Sequence, residues 1–458
     1  MTLAPNSLAA RDIAYSLHPY TNLEAHETKG PLICAQGRGV YVYDDEGREY
    51  LEGMAGLWCV SLGFSEPRLV AAAARQMEQL PYMHSFAHRS HVPNIELAER
   101  LIQIAPAGMS KAFFVNSGSE AVDTAIKFVW YYNNALGRRE KKKIISRKRG
   151  YHGVTVAGGS LTAIPLMQND FDLPVSDRFL STEVPSYYRH GNSDESEEQF
   201  ATRLVASLEQ LILAEGPDSV AAFIAEPVMG AGGVIVPPLT YYEKIQVMLK
   251  QYDILFIADE VICGFGRTGN MWGSQTLGIR PDIVTCAKQL SSAYLPIAAV
   301  LIYDPIYQAF IEQSKKHGVL GMGYTYGGHP VCAAVALETL KIYEERNIVE
   351  YVRSITPHFQ TRLAALAEHP LVGEARGLGL LGAVELVMDK LTREQYDPAL
   401  KVSAMVQEQA ISKGLIVRGL PGDSIATCPP LIISEKEIDI LFDRFWEALD
   451  AGQEALSA

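Results

Sequence analysis

The stretch Ile254–Gly269, ILFIADEVICGFGRTG, decides how the rest of the chain is read. It opens on a near-continuous apolar run, as expected of a strand buried on both faces. It closes on G-F-G-R-T-G, which satisfies the dinucleotide pattern G-x-G-x-x-G. That fingerprint places its glycines directly after the strand and opens a helix whose N-terminus faces a pyrophosphate. Here Asp259, Glu260, Val261, Ile262 and Cys263 intervene, and the following GRTGNMWGSQTLG shows no helical period. A second match, at Gly377, Gly379 and Gly382, leads into AVELV, which reads as a strand, so its glycines belong to a turn or bulge. The dinucleotide reading is set aside. Attention moves to Asp259, at the carboxyl end of a strand over 254–258, because ligand sites of open α/β sheets form at that end.

The surrounding chain supports such a sheet. Apolar runs at Ala112–Val115, Lys143–Ser146, Val220–Ala225, Ile283–Cys286 and Ala298–Ile302 alternate with helix-like segments such as Glu120–Leu136 and Tyr241–Gln251. In the first helix Val122, Ala125, Ile126, Val129 and Trp130 recur at helical spacing. This is the pattern of an α/β fold with a mostly parallel sheet covered by helices. Toward the C-terminus come short glycine-rich strands, GLGLLGAVELV and GLIVRG, then a capping box at Ser434 and Glu437. The box opens an amphipathic helix bearing Ile438, Leu441, Phe442, Phe445 and Leu449. That order suggests a smaller α+β unit. GVYVYDDEGREYLEG near the start reads as a strand pair around a turn and could join either unit.

Length and composition set outer bounds. A chain of 458 residues fits two or three domains. A net charge of -13 argues against nucleic-acid binding. The basic run REKKKIISRKRG (139–150) reads as a solvated helix end and loop. Six scattered cysteines form no C-x-x-C pair, which disfavours zinc and dithiol sites. No secretory signal or membrane-length apolar run is visible, so a reduced cytoplasmic location is expected.

PDIVTCAKQLSSAYLP (281–296) repeats the design of the opening stretch: an apolar strand, then Lys288. If both strands share a parallel sheet, Asp259 and Lys288 emerge on one side. A buried salt bridge would explain the pair, since burying either charge alone is costly. So would pyridoxal phosphate, which needs a lysine amine for covalent attachment and a carboxylate against its pyridinium nitrogen. A phosphate cradle is offered by FFVNSGSEAVDTAIKF (113–128), where a strand turns into a helix N-terminus; a plain N-cap explains the same residues. Tyr151, in RGYHGVT, is either a ring-stacking aromatic or an ordinary loop residue.

Taken together, NSGSEA (116–121), YHG (151–153), EPVMGAGGVIVPP (226–238), ADEVICGFGRTG (258–269), AKQLSS (287–292) and TYGGHP (325–330) resemble the class III aminotransferases, which are fold-type I pyridoxal-phosphate enzymes. GLW (56–58) and CPP (428–430) further resemble the amine:pyruvate, or ω-, transaminases. The resemblance implies a seven-stranded sheet in a large cofactor-binding domain over 61–330, a small α+β domain over 331–458, and residues 1–60 joining the small one. It implies that Lys288 carries the cofactor covalently and moves the substrate proton, that Asp259 pairs with the pyridine nitrogen, and that Val261 and Tyr151 flank the ring. Ser117, Gly118, Ser119, His152, Glu226, Tyr324 and Thr325 would complete the cofactor site, with Thr325 reaching the partner subunit's cofactor in a homodimer that could pair into a tetramer. Leu57, Trp58, Tyr82, Phe86, Ala87, Tyr151, Ala231 and Arg418 would line the substrate pocket, Phe86 entering from the partner chain.

The implied reaction passes an amino group from a primary amine to the cofactor and then to a keto acid, pyruvate, in two half-reactions. (S)-selectivity and a pocket open to bulky amines are expected. Transfer from β-alanine, γ-aminobutyrate or another ω-amino acid is the alternative, and a non-catalytic binding protein of the same fold a distant one. Arg418 would turn inward for the keto acid; otherwise it is a surface arginine beside a strand. Four positions depart from the family pattern: Gln289 after the lysine, Gly327 before Gly-His-Pro, the small Ala87, and a longer loop after Arg418 with a tight turn at Pro421, Gly422 and Asp423.

Overall fold

The structure, a computed structural model, describes residues 4–173 and 177–457. Its central sheet has seven strands: β1 (Met109–Val115), β2 (Lys143–Arg147), β3 (Phe179–Thr182), β4 (Val220–Ala225), β5 (Leu255–Asp259), β6 (Ile283–Cys286) and β7 (Ala298–Tyr303). Their spatial order is β1-β7-β6-β5-β4-β2-β3. β7 runs antiparallel to both β1 and β6, and the other pairs are parallel. β4 is buried along its whole length and β5 nearly so, which is why both read as unbroken apolar runs.

Helices close both faces. On one, Val122, Ala125, Ile126 and Val129 of the helix Gly118–Ala135 share a core with Ile257, Ile283 and Val300. On the other, Leu204 and Leu208 of Glu197–Glu215, with Tyr242 and Ile245 of Tyr241–Gln251, pack on Phe223 and Phe256. Adjacent residues of β5, Phe256 and Ile257, thus serve opposite cores, as the two-residue period of a strand requires.

Two four-stranded sheets lie outside this body. Val372–Leu378, Leu381–Leu386, Ser424–Thr427 and Arg418–Leu420 form an antiparallel one. Gly379, at φ +63°, turns its first hairpin, so the second glycine motif is a turn. The other joins the chain's beginning to its end: Cys34–Arg38, Tyr41–Asp44 and Glu49–Glu52 are continued by Leu415–Ile416, parallel to the third. The capping box forms, Ser434 Oγ accepting from Glu437 N–H at 3.3 Å and Glu437 Oε2 from Ser434 N–H at 2.8 Å, ahead of the helix Glu435–Ser457.

Several expectations need adjustment. β3 was not expected, β1 begins three residues earlier than the apolar run, and Asp259 is the last residue of β5 instead of the first beyond it. The basic run is not simply solvated. Lys141 is buried and donates to the Tyr252 carbonyl at 3.1 Å, and Arg147 is wholly buried. The long basic chains satisfy interior carbonyls there, which charge counting does not reveal. Among the described residues, no helix is long and apolar enough to cross a membrane.

Candidate active site

The carboxyl ends of β5 and β6 set the site. Asp259 closes β5, level with Thr285 of β6, and Lys288 follows β6 after one residue, Ala287. The backbone at Lys288 is left-handed, φ +47°, an uncommon conformation for a residue with a Cβ. That turn frees its side chain from the strand direction and lets it face the same cavity as Asp259. This cavity, of about 90 Å³, is lined by Gly118, Ser119, Val122, Tyr151, His152, Gly153, Glu226, Asp259, Val261, Ile262 and Lys288. A second of about 350 Å³ opens beyond it and shares Gly118, Val261 and Lys288, with Cys59 and Ser117 on its wall. A larger cavity, of about 850 Å³, lies between the helices Pro67–Gln79, Val92–Ile104 and Pro330–Glu345 and holds none of the expected site residues.

Asp259 is buried and fixed by three contacts. Its Oδ2 lies 2.8 Å from His152 Nδ1, and its Oδ1 accepts from Val261 N–H and Thr285 Oγ, both at 3.2 Å. A carboxylate has about four lone-pair sites, so one direction remains for a further donor. Glu226 stands beside it, accepting from Tyr151 N–H at 3.1 Å and Gly230 N–H at 2.8 Å. Burial pushes the Glu226 carboxyl up, His152 pulls it down and Asp259 adds to the rise. Beneath, the buried Arg147 guanidinium donates to the Glu226 carbonyl at 2.6 Å and to Tyr242 Oη at 2.9 Å. Burial holds the Lys288 ammonium below the usual lysine range; Cys59, Asp259 and Glu226 oppose that shift. An amine so placed is more readily neutral, hence nucleophilic and basic.

The anion cradle takes the form of a helix N-terminus. Ser117 caps Gly118–Ala135, its hydroxyl accepting from Glu120 N–H at 3.2 Å, so its side chain is engaged in the cap. Gly118 and Ser119 follow at the cavity. A Cβ on Gly118 would come within 3.0 Å of Val261 Cγ1, and one on Gly153, at φ +112°, within 2.7 Å of Ser119 Oγ. Glycine at both positions keeps the cradle open, and the helix N-terminus favours a phosphate there. His152 Nε2 is buried without a hydrogen-bond partner. These features fit pyridoxal phosphate: an anion cradle, an aliphatic face at Val261, an aromatic one at Tyr151, a carboxylate with spare capacity and a lowered lysine.

The remaining expected residues fall into two groups. Tyr151 and Arg418 meet at the rim, and sequence reading missed a third member, Tyr20. Burial raises the Tyr151 hydroxyl, with Tyr20 beside it the next contribution, and burial lowers Arg418, which Tyr20 and Tyr151 counter. Arg418 starts a hairpin whose turn, with Gly422 at φ +75° and Asp423 at φ +48°, is the tight one expected. Trp58 is buried, clustered with Met54, Ile262, Leu420 and Cys428, whereas Leu57 is exposed and Ala231 half-buried. The second group stands apart on the surface. Tyr82 donates to the Thr325 carbonyl at 2.8 Å, Phe86 packs over Gly323, and Thr325, Phe86 and Ala87 are exposed. Tyr324 Oη lies 3.2 Å from Thr124 Oγ1.

A family profile, Aminotransferase class-III, matches residues 23–449, and the chain belongs to that family. It is therefore an aminotransferase of the fold-type I class, and these enzymes use pyridoxal phosphate. It is 49% identical, over 98% of its length and 87% of the relative's, to "Gamma aminobutyrate transaminase 3, chloroplastic" of Solanum lycopersicum. Among solved structures it is similar to the omega transaminase from Pseudomonas jessenii in complex with PMP, at 54% identity and TM-score 0.96 over 98% of this chain and 99% of that one. A thermostable omega transaminase variant engineered for asymmetric synthesis of enantiopure bulky amines matches at 55% identity and TM-score 0.96, with the same coverage.

Proposed function

We propose that this aminotransferase takes the amino group of a primary amine lacking a carboxylate and delivers it to pyruvate. The observation that carries this reading is Arg418. Its guanidinium is half-buried at the rim, and among the described residues no carboxylate pairs with it. Its electrostatic neighbours are the Tyr20 and Tyr151 hydroxyls. A guanidinium held in that setting binds a keto-acid carboxylate through its fork. Turned outward, it leaves Tyr151, Trp58 and Leu57 to receive an apolar amine. (S)-selectivity is part of the proposal, as is a pocket widened by Ala87.

Bound pyridoxal phosphate supplies an electrophilic carbonyl and an electron sink. The chain's residues do the rest. Lys288 would hold the cofactor, and its amine would move the substrate proton. Asp259, oriented by His152, Thr285 and the Val261 amide, would hold a proton on the pyridine nitrogen. Gly118, Ser119 and the helix N-terminus bind phosphate. Val261 and Tyr151 fix the ring plane and exclude water from its faces. Tyr82, Phe86, Ala87 and Thr325 complete a partner subunit's site in a homodimer, which accounts for their exposure and their distance from the Lys288 cavity. A cytoplasmic location accords with six free cysteines.

Transfer from an ω-amino acid such as γ-aminobutyrate is the second reading, favoured by the plant relatives' names. The cofactor-loaded protein is mixed with each enantiomer of 1-phenylethylamine, then with pyruvate, and its absorption followed. Loss of the long-wavelength band with the (S) form, and its return with pyruvate, is the expected result. Bleaching by γ-aminobutyrate alone would replace the amine reading with the second.

A further inference from the structure

Away from the Lys288 cavity, three metal-ligating side chains converge in the N-terminal segment. Asp12 lies on the helix Leu8–Tyr15, His26 on the helix Leu23–Lys29, and His18 on the link between them. Asp12 Oδ2 is 2.6 Å from His18 Nε2 and 3.2 Å from His26 Nε2. The two imidazoles lie with centroids 4.1 Å apart and planes tilted by 34°. The His26 side chain is only 9% exposed, and its Nε2 is shut off from solvent with no hydrogen-bond partner. Inside the cluster Asp12 Oδ2 is hydrogen-bonded to His18, whereas its 3.2 Å approach to His26 Nε2 is an ion-pair contact that does not meet hydrogen-bond geometry. A polar atom buried in that state calls for an explanation, an ion among them.

We propose that Asp12, His18 and His26 form a binding site for one divalent transition-metal ion of the zinc and cobalt type. Two imidazoles and one carboxylate are a donor set for such borderline cations, and all three donor atoms lie within 4.8 Å of one another. Tetrahedral bonds of about 2.0–2.1 Å place ligand atoms about 3.3 Å apart. The His26–Asp12 pair already has that span. The His18–Asp12 pair must open slightly, which the partly exposed His18 side chain can do by rotating. Three protein donors leave a fourth position for water.

The ion would have a structural consequence. It ties together two short helices that flank Tyr20, the residue set against Tyr151 and Arg418 at the rim of the candidate active site. The site therefore staples the N-terminal segment in the position that brings Tyr20 to the substrate entrance.

The test uses tag-free holoenzyme stripped with a chelator and titrated with Co²⁺, read by visible absorption, then with Zn²⁺ as competitor. One Co²⁺ per chain should bind with a histidine-ligand spectrum and be displaced by Zn²⁺. His26→Gln and Asp12→Asn should each weaken binding by at least about tenfold. An unchanged cofactor band in each variant shows that it is folded. A titration with no saturable band, or one unaltered in the His18→Gln/His26→Gln double variant, overturns the proposal. Because metal is read directly, the outcome does not depend on which amine the enzyme uses.

Discussion

Asp259 and His152 meet on the wall of the Lys288 cavity, Oδ2 to Nδ1 at 2.8 Å, with side chains 4% and 0% exposed. The contact fixes the direction in which the carboxylate faces the cavity. Asp259→Asn preserves shape but removes the charge proposed to hold a proton on the cofactor ring. It should lower kcat by about 10²-fold or more. His152→Ala leaves the charge but frees the carboxylate to turn, and a loss of about tenfold is expected. Single-turnover rates with a saturating amine measure both. Equal rates in Asp259→Asn and the parent would remove Asp259 from the mechanism.

Arg418 is assigned to the keto acid and not to the amine. Arg418→Ala should raise KM for pyruvate about 10–100-fold, the value of one charged hydrogen-bonded contact. The rate of the amine half-reaction should change little. If the amine step falls as far as the pyruvate step, the arginine shapes the pocket generally and does not read the carboxylate.

Arg149 supports the hairpin that carries Arg418. Its guanidinium donates to the Pro421 carbonyl at 2.7 Å, and its side chain packs at Gly233 and Gly422. It thus ties the Tyr151 loop to the turn beyond Arg418. Arg149→Ala should raise KM for pyruvate by a few-fold, about the worth of one hydrogen bond, with the cofactor band unchanged. Arg149→Lys should restore part of it. A loss of the cofactor band would instead make Arg149 a support for the Tyr151 loop itself.

Glu260, the neighbour of Asp259, is fully buried and accepts from Gly273 N–H at 2.9 Å and Ser274 N–H at 2.6 Å. Burial pushes its carboxyl from 4.5 up to about 7. The folded value lies above the unfolded one, so between them the unfolded chain releases a proton that the folded chain keeps. Stability from this group is full below 4.5 and declines as pH rises to about 7, by roughly 3 kcal/mol at the limit. Urea midpoints at pH 5 and 7 should differ less in Glu260→Gln than in the parent, whatever the variant's absolute stability. An unaltered difference would assign the slope to other groups such as Glu52, whose carboxyl burial also pushes up to about 7.

The meeting of Asp259 and Lys288 at one cavity was legible because each stands at the carboxyl end of an apolar strand. Ile254–Ala258 and Ile283–Cys286 are buried on both faces, so Asp259 and Lys288 stand out by contrast, and parallel pairing brings them to one edge. The cradle was legible because a strand, a serine cap and a helix follow one another without a gap. Tyr20 was not: no local pattern links the N-terminal segment to Tyr151 far along the chain. Nor was Arg147, whose basic neighbours suggest a solvated run although its own guanidinium is buried against Tyr242. β3 escaped because Phe179–Thr182 is a four-residue edge strand with too few apolar residues to show a period.

The most direct test of the central claim is borohydride reduction of the cofactor-loaded enzyme followed by peptide mass spectrometry. The account predicts a pyridoxyl adduct on Lys288 alone, absent in Lys288→Ala, with the long-wavelength band abolished in that variant. An adduct on another lysine, or a band that survives Lys288→Ala, would contradict it.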